Sequence, residues 1–270
     1  VSERDVVEFD VAIVGAGPAG LATAIRLKQL DPERSVCVLE KGSQVGAHIL
    51  SGAVIEPAPL DALLPGWRDN PPPICVPAKR DEFALLTRTR RVRLPTPPQM
   101  HNAGNFIVSL GALCAWLAPQ AEALGVEIFP GFAAAEPLFD AAGTRVIGVR
   151  VGDMGIAKDG SHKDSYTPGI DIHAGVTVIS EGCRGSLAKQ LIARFRLDAG
   201  ADPQTFGIGI KELWELPEGR AEPGLIQHTL GWPLDMRTYG GSFLYHLDGN
   251  RVAVGFVSGL DYQNPRFEPY

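Results

Sequence analysis

The chain has 270 residues, with 25 Lys and Arg against 31 Asp and Glu, a formal net charge of −6 and 45% hydrophobic residues. That length holds one large α/β domain or two interleaved ones, and an acidic balance without a basic block argues against a nucleic-acid partner. No apolar run reaches the roughly eighteen residues of a membrane span.

The first ten residues carry Glu3, Arg4, Asp5 and Glu8 and no apolar stretch, so no secretory leader is expected. Val11 to Val14 read as a buried parallel strand running into Gly15, Gly17 and Gly20, then into a helix from Leu21 to Leu30. Each glycine has a separate task. Gly15 permits a tight turn, Gly17 lets backbone approach a pyrophosphate, and Gly20 lets the helix lie close to the sheet. The helix N-terminus offers free N–H groups and positive dipole to the phosphates. A second strand, Ser35 to Leu39, ends in Glu40, twenty residues beyond Gly20, where a carboxylate can accept ribose hydroxyls. Glu40 disfavours a 2′-phosphate; this motif leaves FAD and NAD both open.

Lys41 to Gly52 is glycine-rich and poor in charge. In Ala53 to Trp67, Pro57, Pro59 and Pro65 forbid a long helix, and short helical turns would set Leu60, Leu63, Leu64 and Trp67 on one face. Buried, that face is core; exposed, it is a monotopic membrane contact. Phe83 to Leu94 reads as two hairpin arms, with Arg88, Arg90, Arg91 and Arg93 on an exposed strand face. A helix from Ser109 or Gly111 to Leu124 carries Leu113, Trp116, Leu117 and Leu124, with Gly125 at C′. The strand Val126 to Phe129 follows. Strands Thr144 to Val151 and Asp171 to Ile179 flank a polar surface hairpin, Asp153 to Pro168. Val176 to Ile179 then enters Ser180-Glu-Gly-Cys-Arg-Gly-Ser186 and a helix to Phe195, a second glycine-punctuated strand-to-helix junction. Beyond Pro203, strands Phe206 to Glu212, Leu225 to Thr229, Gly241 to His246 and Arg251 to Val257 read as a separate antiparallel sheet.

Four cysteines, Cys37, Cys75, Cys114 and Cys183, stand far apart without a C-x-x-C, as in a reduced compartment. They cannot supply a clustered iron–sulfur site, so no metal ligands are expected within this span. Cys37 and Cys114 read as core residues. Cys183 has no neighbouring partner for a redox disulfide.

Several blocks are specific enough to carry a resemblance. They are Gly46-Ala-His-Ile-Leu-Ser-Gly52, Tyr166 to Gly169, Glu181-Gly-Cys-Arg-Gly185 with Ala188-Lys-Gln-Leu191, and Gly207-Ile-Gly-Ile-Lys-Glu-Leu-Trp214. His228-Thr-Leu-Gly-Trp-Pro-Leu-Asp235, Thr238-Tyr-Gly-Gly-Ser-Phe-Leu-Tyr-His246 and Gly259-Leu-Asp-Tyr-Gln-Asn-Pro265 complete the set. Together they resemble the electron transfer flavoprotein–ubiquinone oxidoreductase family along essentially the whole chain.

The resemblance implies an α/β (α+β) fold: a FAD/NAD(P)-binding Rossmann-like domain of the glutathione-reductase type with an antiparallel-sheet quinone-binding domain. The expected boundaries are 1–200 for the first, with a hairpin or membrane-contact excursion at about 49–100, and 201–270 for an incomplete second. It implies an FAD-dependent enzyme passing electrons from reduced electron transfer flavoprotein to membrane ubiquinone, with the flavin carrying the chemistry and no catalytic side chain. Gly15, Gly17, Pro18, Ala19, Gly20, Glu40 and Lys41 would hold the ADP half of FAD. Ile49, Leu50, Ser51 and Gly52 would lie along the flavin side, Ala133 near the adenine, and Glu181 and Gly182 at the second turn. Gly240 and Gly241 would line the quinone site; without the family they read as a turn or bulge opening a strand. The resemblance turns Leu60, Leu63, Leu64 and Trp67 toward membrane contact. It also implies a peripheral enzyme on the cytoplasmic side of a bacterial inner membrane, or the matrix side in mitochondria.

The family is about twice this long and carries a [4Fe–4S] cluster whose cysteines are absent here, so a fragment is expected in preference to a reduced homologue, weak in FAD and in quinone reduction. His48, His228 and His246 are candidate proton relays, each with a structural alternative. The competing readings are a geranylgeranyl-reductase-like or nitrogen-fixation-type flavoprotein and a flavin-free membrane-surface module.

Overall fold

A computed structural model describes residues 4–49, 52–235 and 237–268. Its first half runs β1 (Val6–Val14), α1 (Pro18–Leu30), β2 (Val36–Glu40), β3 (Gly52–Ile55), α2 (Ala58–Leu63), β4 (Cys75–Pro77), β5 (Arg80–Leu86), β6 (Arg91–Leu94), β7 (Phe106–Ser109), α3 (Leu110–Glu122) and β8 (Val126–Pro130). The second runs β9 (Ala134–Phe139), β10 (Val146–Val151), β11 (Met154–Ile156), β12 (His162–Thr167), β13 (Asp171–Ile179), α4 (Ser186–Phe195), β14 (Gly207–Glu215), β15 (Leu225–Gly231), β16 (Gly240–His246) and β17 (Arg251–Gly259). These elements form two compact units, Val1–Ile49 with Leu113–Ala201, and Leu50–Ala112 with Asp202–Tyr270.

The first unit is built on a six-stranded sheet in the order β8-β2-β1-β13-β10-β9. β8, β2, β1 and β13 are parallel, and β10 and β9 extend the sheet antiparallel. Central parallel strands are covered on both faces, and so read as apolar runs rather than alternation. Val11, Ala12, Ile13 and Val14 of β1 and Val36 to Leu39 of β2 are all buried. α1 packs Leu21, Ala24 and Ile25 inward, while the buried Lys28 ammonium donates to the carbonyls of Pro32 and Arg34. α3 stops at Glu122, two residues before the expected end, because its last hydrogen bonds tighten from Leu124 to Ala121 and Gly125 to Glu122. Gly125, with φ of +85°, closes the turn that follows, three residues beyond the last helical residue rather than at C′. The hairpin β11–β12 lies in the polar stretch read as one.

In the second unit the order is β14-β17-β16-β15-β5-β6, with a small sheet β3-β7-β4 beside it. The strands expected beyond Pro203 are present, but the sheet is not wholly antiparallel. β5 runs parallel to β15 from Arg80–Leu225 to Leu86–Gly231, and β6 extends it as the other hairpin arm. The excursion expected inside the first domain therefore belongs with 202–270. The cause is burial: Ile226 and Ala253 share a core with Val76 and Ile107, which the expected excursion and β7 contribute.

Candidate functional site

The turn after β1 behaves as its glycines require. A Cβ on Gly15 would stand 2.5 Å from the Ser180 carbonyl oxygen, and one on Gly20 would stand 2.0 Å from the Gly15 carbonyl oxygen. Neither contact is possible for a real side chain, so these two glycines are demanded by the protein's own backbone. Gly17 differs. It is the N-cap of α1 in extended conformation, and a Cβ there would meet nothing within 4 Å. α1 has Pro18 in its first turn, no capping side chain and no acidic residue in that turn. Its first N–H groups are available to an anion.

Glu40 ends β2 beside this opening. Its Oε2 accepts the Ala16 N–H at 3.2 Å and its Oε1 the Gly42 N–H at 2.7 Å. A carboxylate has about four lone-pair sites, so two backbone donors leave capacity for hydroxyl groups. The two bonds also fix the carboxylate against the glycine turn. A dinucleotide fits this donor set: an uncapped helix end, an unfilled approach at Gly17, and a held carboxylate with spare acceptors.

The second junction has a different occupant. Glu181 Oε1 accepts the Ser186 N–H at 3.0 Å and Oε2 accepts the Ala188 N–H at 2.9 Å, so this side chain caps α4. Gly185 makes room for it, since a Cβ there would lie 2.5 Å from Glu181 Oε2. The N-terminus of α4 is thus filled by the chain's own carboxylate. The Ser180 N–H donates to the Val14 carbonyl, setting the second junction against the first. Gly182, with φ of +80°, turns in open space. Lys41 and Ala133 are exposed and Ile49 half-buried. Leu50 and Ser51 lie outside the described residues, and Gly52 begins β3.

In the second unit, Gly240 and Gly241 open β16. A Cβ on Gly240 would stand 2.2 Å from the Val257 carbonyl oxygen, and on Gly241 2.1 Å from that of Thr229. The sheet itself therefore requires both glycines. Two residues along, the Phe243 ring lies over Gly255, whose added Cβ would be 2.1 Å from it, with the Lys211 ammonium 5.1 Å from the ring centroid. Burial lowers the Lys211 pKa. His228 Nε2 lies 3.0 Å from the Tyr245 hydroxyl. Burial holds the imidazole below its ordinary value and pushes the phenol up to about 12, with the Asp81 charge as the lesser influence on both. Neutral imidazole and protonated phenol together form a proton-holding pair. Sequence reading found His228 and missed Tyr245; strand alternation, pairing β15 with β16, was the available signal.

His246 is structural. Its Nδ1 accepts the Glu222 N–H at 2.9 Å, which fixes the proton on Nε2. His48 is exposed.

Of the residues read toward a membrane contact, Leu60 and Trp67 are buried, with 8% and 4% exposure. Trp67 packs edge-on against Phe106 at 5.4 Å and donates its indole N–H to Asp61 at 2.7 Å. These two are core residues of the second unit; Leu63 and Leu64 are half-buried. The helical spacing was sound, but the buried side of that face is taken by β7. No described helix is long and apolar enough to cross a membrane.

Burial pushes the Cys37 and Cys114 thiols up to about 12 and about 11, and Cys183 is exposed. Among the described residues no three His, Cys, Asp or Glu side chains converge on a metal position. A metal cluster does not fit the donors of this span.

A mostly parallel sheet with an open glycine turn in one unit, and a mixed sheet in the other, define a dinucleotide-binding Rossmann-like protein with a second, β-rich domain. Residues 13–69 match the model of an NAD(P)-binding Rossmann-like domain, and 206–270 match that described as ETF-QO, ubiquinone-binding. Over the residues it spans, the chain is similar to the electron transfer flavoprotein–ubiquinone oxidoreductases. It is 53% identical to the mitochondrial enzyme of that name from Arabidopsis thaliana, over 99% of this chain and 43% of that protein. Identity is 51% to those of Pseudomonas aeruginosa and Homo sapiens, again over 99% of this chain and over 50% and 45% of theirs. The chain thus spans about half the length of the curated relatives it matches.

Among solved structures, a geranylgeranyl bacteriochlorophyll reductase-like protein from Thermoplasma acidophilum superposes with a TM-score of 0.68 at 14% identity, over 98% of this chain and 60% of that one. The myxobacterial chondrochloren halogenase, described as a variant of FAD-dependent halogenases, gives 0.58 at 16%, over 94% and 53%. At those identities the likeness is one of fold.

Proposed function

We propose that this chain carries the FAD- and ubiquinone-binding portion of an enzyme that passes electrons from reduced electron transfer flavoprotein to ubiquinone. The observation carrying the flavin site is the contrast between two helix ends. α4 is capped by Glu181, whereas α1 presents its N–H groups uncapped, behind a glycine with open space and beside Glu40. The Pro18 ring and Ala19 begin α1 without adding a charge that would repel phosphate. The glutathione-reductase type of fold, the ADP contacts and the roles of Ala133, Gly182, Leu50 and Ser51 rest on the family resemblance.

When bound, FAD can exchange electrons singly or in pairs. The chain's residues supply position. α1 and Gly17 receive the pyrophosphate, and Glu40 holds the ribose. Reduction of quinone consumes two electrons and two protons, and the His228–Tyr245 pair is the group in the second unit suited to hold one of those protons. Gly240 and Gly241 are the proposed quinone-lining residues, in a role additional to the sheet geometry that requires them. No nucleophile is needed.

The 51–53% identities favour this reading over the geranylgeranyl-reductase-like one, which shares the fold at 14%. Attachment is proposed as peripheral, on the surface of a quinone-containing membrane. Visible absorbance of the purified chain, followed by FAD titration, tests the cofactor. A flavin spectrum, or saturable FAD binding lost in Gly17→Ala, is expected. A folded chain that takes up no FAD at any concentration would overturn the cofactor assignment for this span.

A further inference from the structure

The His228–Tyr245 pair shares its face of the second sheet with an acid that the proposed chemistry leaves unused. β5 lies parallel to β15 with Asp81 opposite Ile226, and β16 lies antiparallel to β15 with Tyr245 opposite the same Ile226. Side chains opposite one another in register point to the same face, so Asp81, Ile226 and Tyr245 form one row across three strands. His228 stands two positions along β15 from Ile226, on that face and one row further on, level with Phe83 and Phe243. With strands about 4.8 Å apart and a rise of about 3.3 Å per residue, Asp81 and His228 are diagonal neighbours about 8 Å apart between Cα atoms.

Asp81 is half-buried and held in place. Its Oδ2 accepts the Asn102 N–H at 2.8 Å and its Oδ1 the Asn102 side-chain amide at 2.6 Å; that amide also donates to the Met100 carbonyl at 3.0 Å. The segment between β6 and β7 thus clamps the carboxylate through one asparagine, and two donors leave it about two acceptor sites. Arg80, Arg91 and Arg93 pair instead with Glu82, which points to the opposite face. The other charges on the Asp81 face are Lys211, level with His228 across Phe243 and Gly255, and Glu215 and Arg251, which face each other two rows from His228. β6 brings Val92 and Leu94 to this face, and the small sheet packs Val76 and Ile107 beside Ile226. Burial is the larger influence on the pair, lowering the imidazole and raising the phenol; the Asp81 charge is the one that favours a proton on both.

We propose that Asp81 is a positioning residue for the proton of this pair, its clamped carboxylate supplying the negative charge that lets a half-buried His228 hold a proton beside Tyr245. The inference rests on the proposed role of the pair in quinone reduction and adds the group that loads it. At rest the imidazole is neutral and the phenol protonated. A neutral imidazole that gave up its Nε2 proton would be left as an anion, so the pair delivers only after the imidazole has taken up a proton from water. Delivery then breaks the Tyr245 O–H bond as a quinone oxygen gains its hydrogen, while the Nε2 proton of the imidazolium crosses to the tyrosine oxygen. One proton leaves, the imidazole returns to neutral, and the electrons are those of the quinone's own reduction. Desolvation disfavours an imidazolium in a half-buried site, and an opposite charge fixed nearby offsets that cost. A carboxylate swinging in water would offset much less of it.

The test is a histidine NMR titration of the purified chain, with the His228 imidazole assigned by the loss of its signals in His228→Gln. Removing a full charge about 8 Å away in a half-buried site should move the midpoint of protonation down by roughly one pH unit. Asp81→Asn and Asp81→Ser, neutral replacements of different shape, should each show that fall, with melting curves confirming that the variants are folded. Asn102→Ala separates charge from scaffolding, because it releases the same segment and leaves the carboxylate in the chain. Its midpoint should fall less than half as far. A midpoint unchanged in the neutral variants would overturn the proposal. An equal fall in Asn102→Ala would also overturn it, by making Asp81 a clamp for the segment and nothing more. Tyr245→Phe tests the pair by itself: His228 signals that do not respond to it at neutral pH would overturn the pair, whatever Asp81 does.

Discussion

Replacing Gly17 and Gly20 separately by alanine should produce opposite defects, although both lie in one turn. At Gly20 the new methyl carbon would stand 2.0 Å from the Gly15 carbonyl oxygen and 3.3 Å from Ile13 Cγ2. Ordinary carbon–oxygen contact needs more than about 3 Å, so α1 must retreat by about 1 Å from the sheet it covers with Leu21, Ala24 and Ile25. Overpacking against a backbone atom this close falls in the upper part of the usual range, about 2–3 kcal/mol, partly offset by the roughly 1 kcal/mol alanine gains over glycine in a helix. A net loss of about 1–2 kcal/mol lowers a melting temperature by a few degrees in a unit of this size. At Gly17 the methyl meets nothing within 4 Å, and the extended N-cap conformation suits alanine. Stability should change by less than about 1 kcal/mol, the difference between glycine and alanine at an N-cap. The methyl instead enters the space assigned to the pyrophosphate, so FAD affinity should fall at least tenfold. Thermal melts followed by circular dichroism and FAD titration followed by flavin fluorescence read the two effects independently. Wild-type FAD affinity in Gly17→Ala would refute the pyrophosphate placement, and unaltered melting in Gly20→Ala would refute the packing account.

His246 and His228 are held below the ordinary histidine value by burial. As pH falls through 6.5 the unfolded chain takes up protons before the folded one, so stability is full above 6.5 and lost as pH drops toward the depressed folded values. Melts from neutral to mildly acid pH should show this slope, and His246→Gln should flatten it in part; an identical slope in the variant removes His246 from the cause. Glu181→Ala uncaps α4 and should cost about 1–2 kcal/mol in a chemical denaturation series, whereas a loss below about 0.3 kcal/mol would contradict the capping role. Trp67→Ala, which empties a buried site, should cost about 3–5 kcal/mol. The milder Trp67→Phe should keep vesicle binding intact, and a selective loss of vesicle binding in it would return Trp67 to the membrane surface.

The first site was legible because its parts are consecutive. Strand, glycines, helix, strand and acid follow one another within Val11 to Glu40, and local sterics suffice to read them. What stayed hidden depends on residues far apart in the chain. Nothing in Phe83 to Leu94 announces that β5 will lie parallel to β15, because pairing across 145 positions, as for Glu82 and Gln227, leaves no local periodicity. Trp67 shows the same limit: its spacing marks a helical face, but Phe106 decides which side of that face is buried. Glu181 was placed at the right turn, yet its carboxylate is turned onto the first N–H groups of α4, since a carboxylate before a helix serves as readily for capping as for binding. Strands β3, β4 and β9 are short or interrupted by proline, and the sequence pattern alone did not single them out.

β1 occupies the centre of its sheet, with β2 on one side and β13 on the other, and Val6 faces Asp171 across the second pairing. During synthesis β1, α1 and β2 can assemble early, but the other edge of β1 stays unpaired until β13 leaves the ribosome. An uncovered apolar strand edge is a template for mispairing with other chains. The carbonyl of Ser180 that presses on Gly15 arrives at the same late moment. The glycine turn, read so easily from the first twenty residues, thus acquires its final wall among the last elements of its unit. A chain stopped before about residue 180 would carry the complete fingerprint and still lack the surface it rests on.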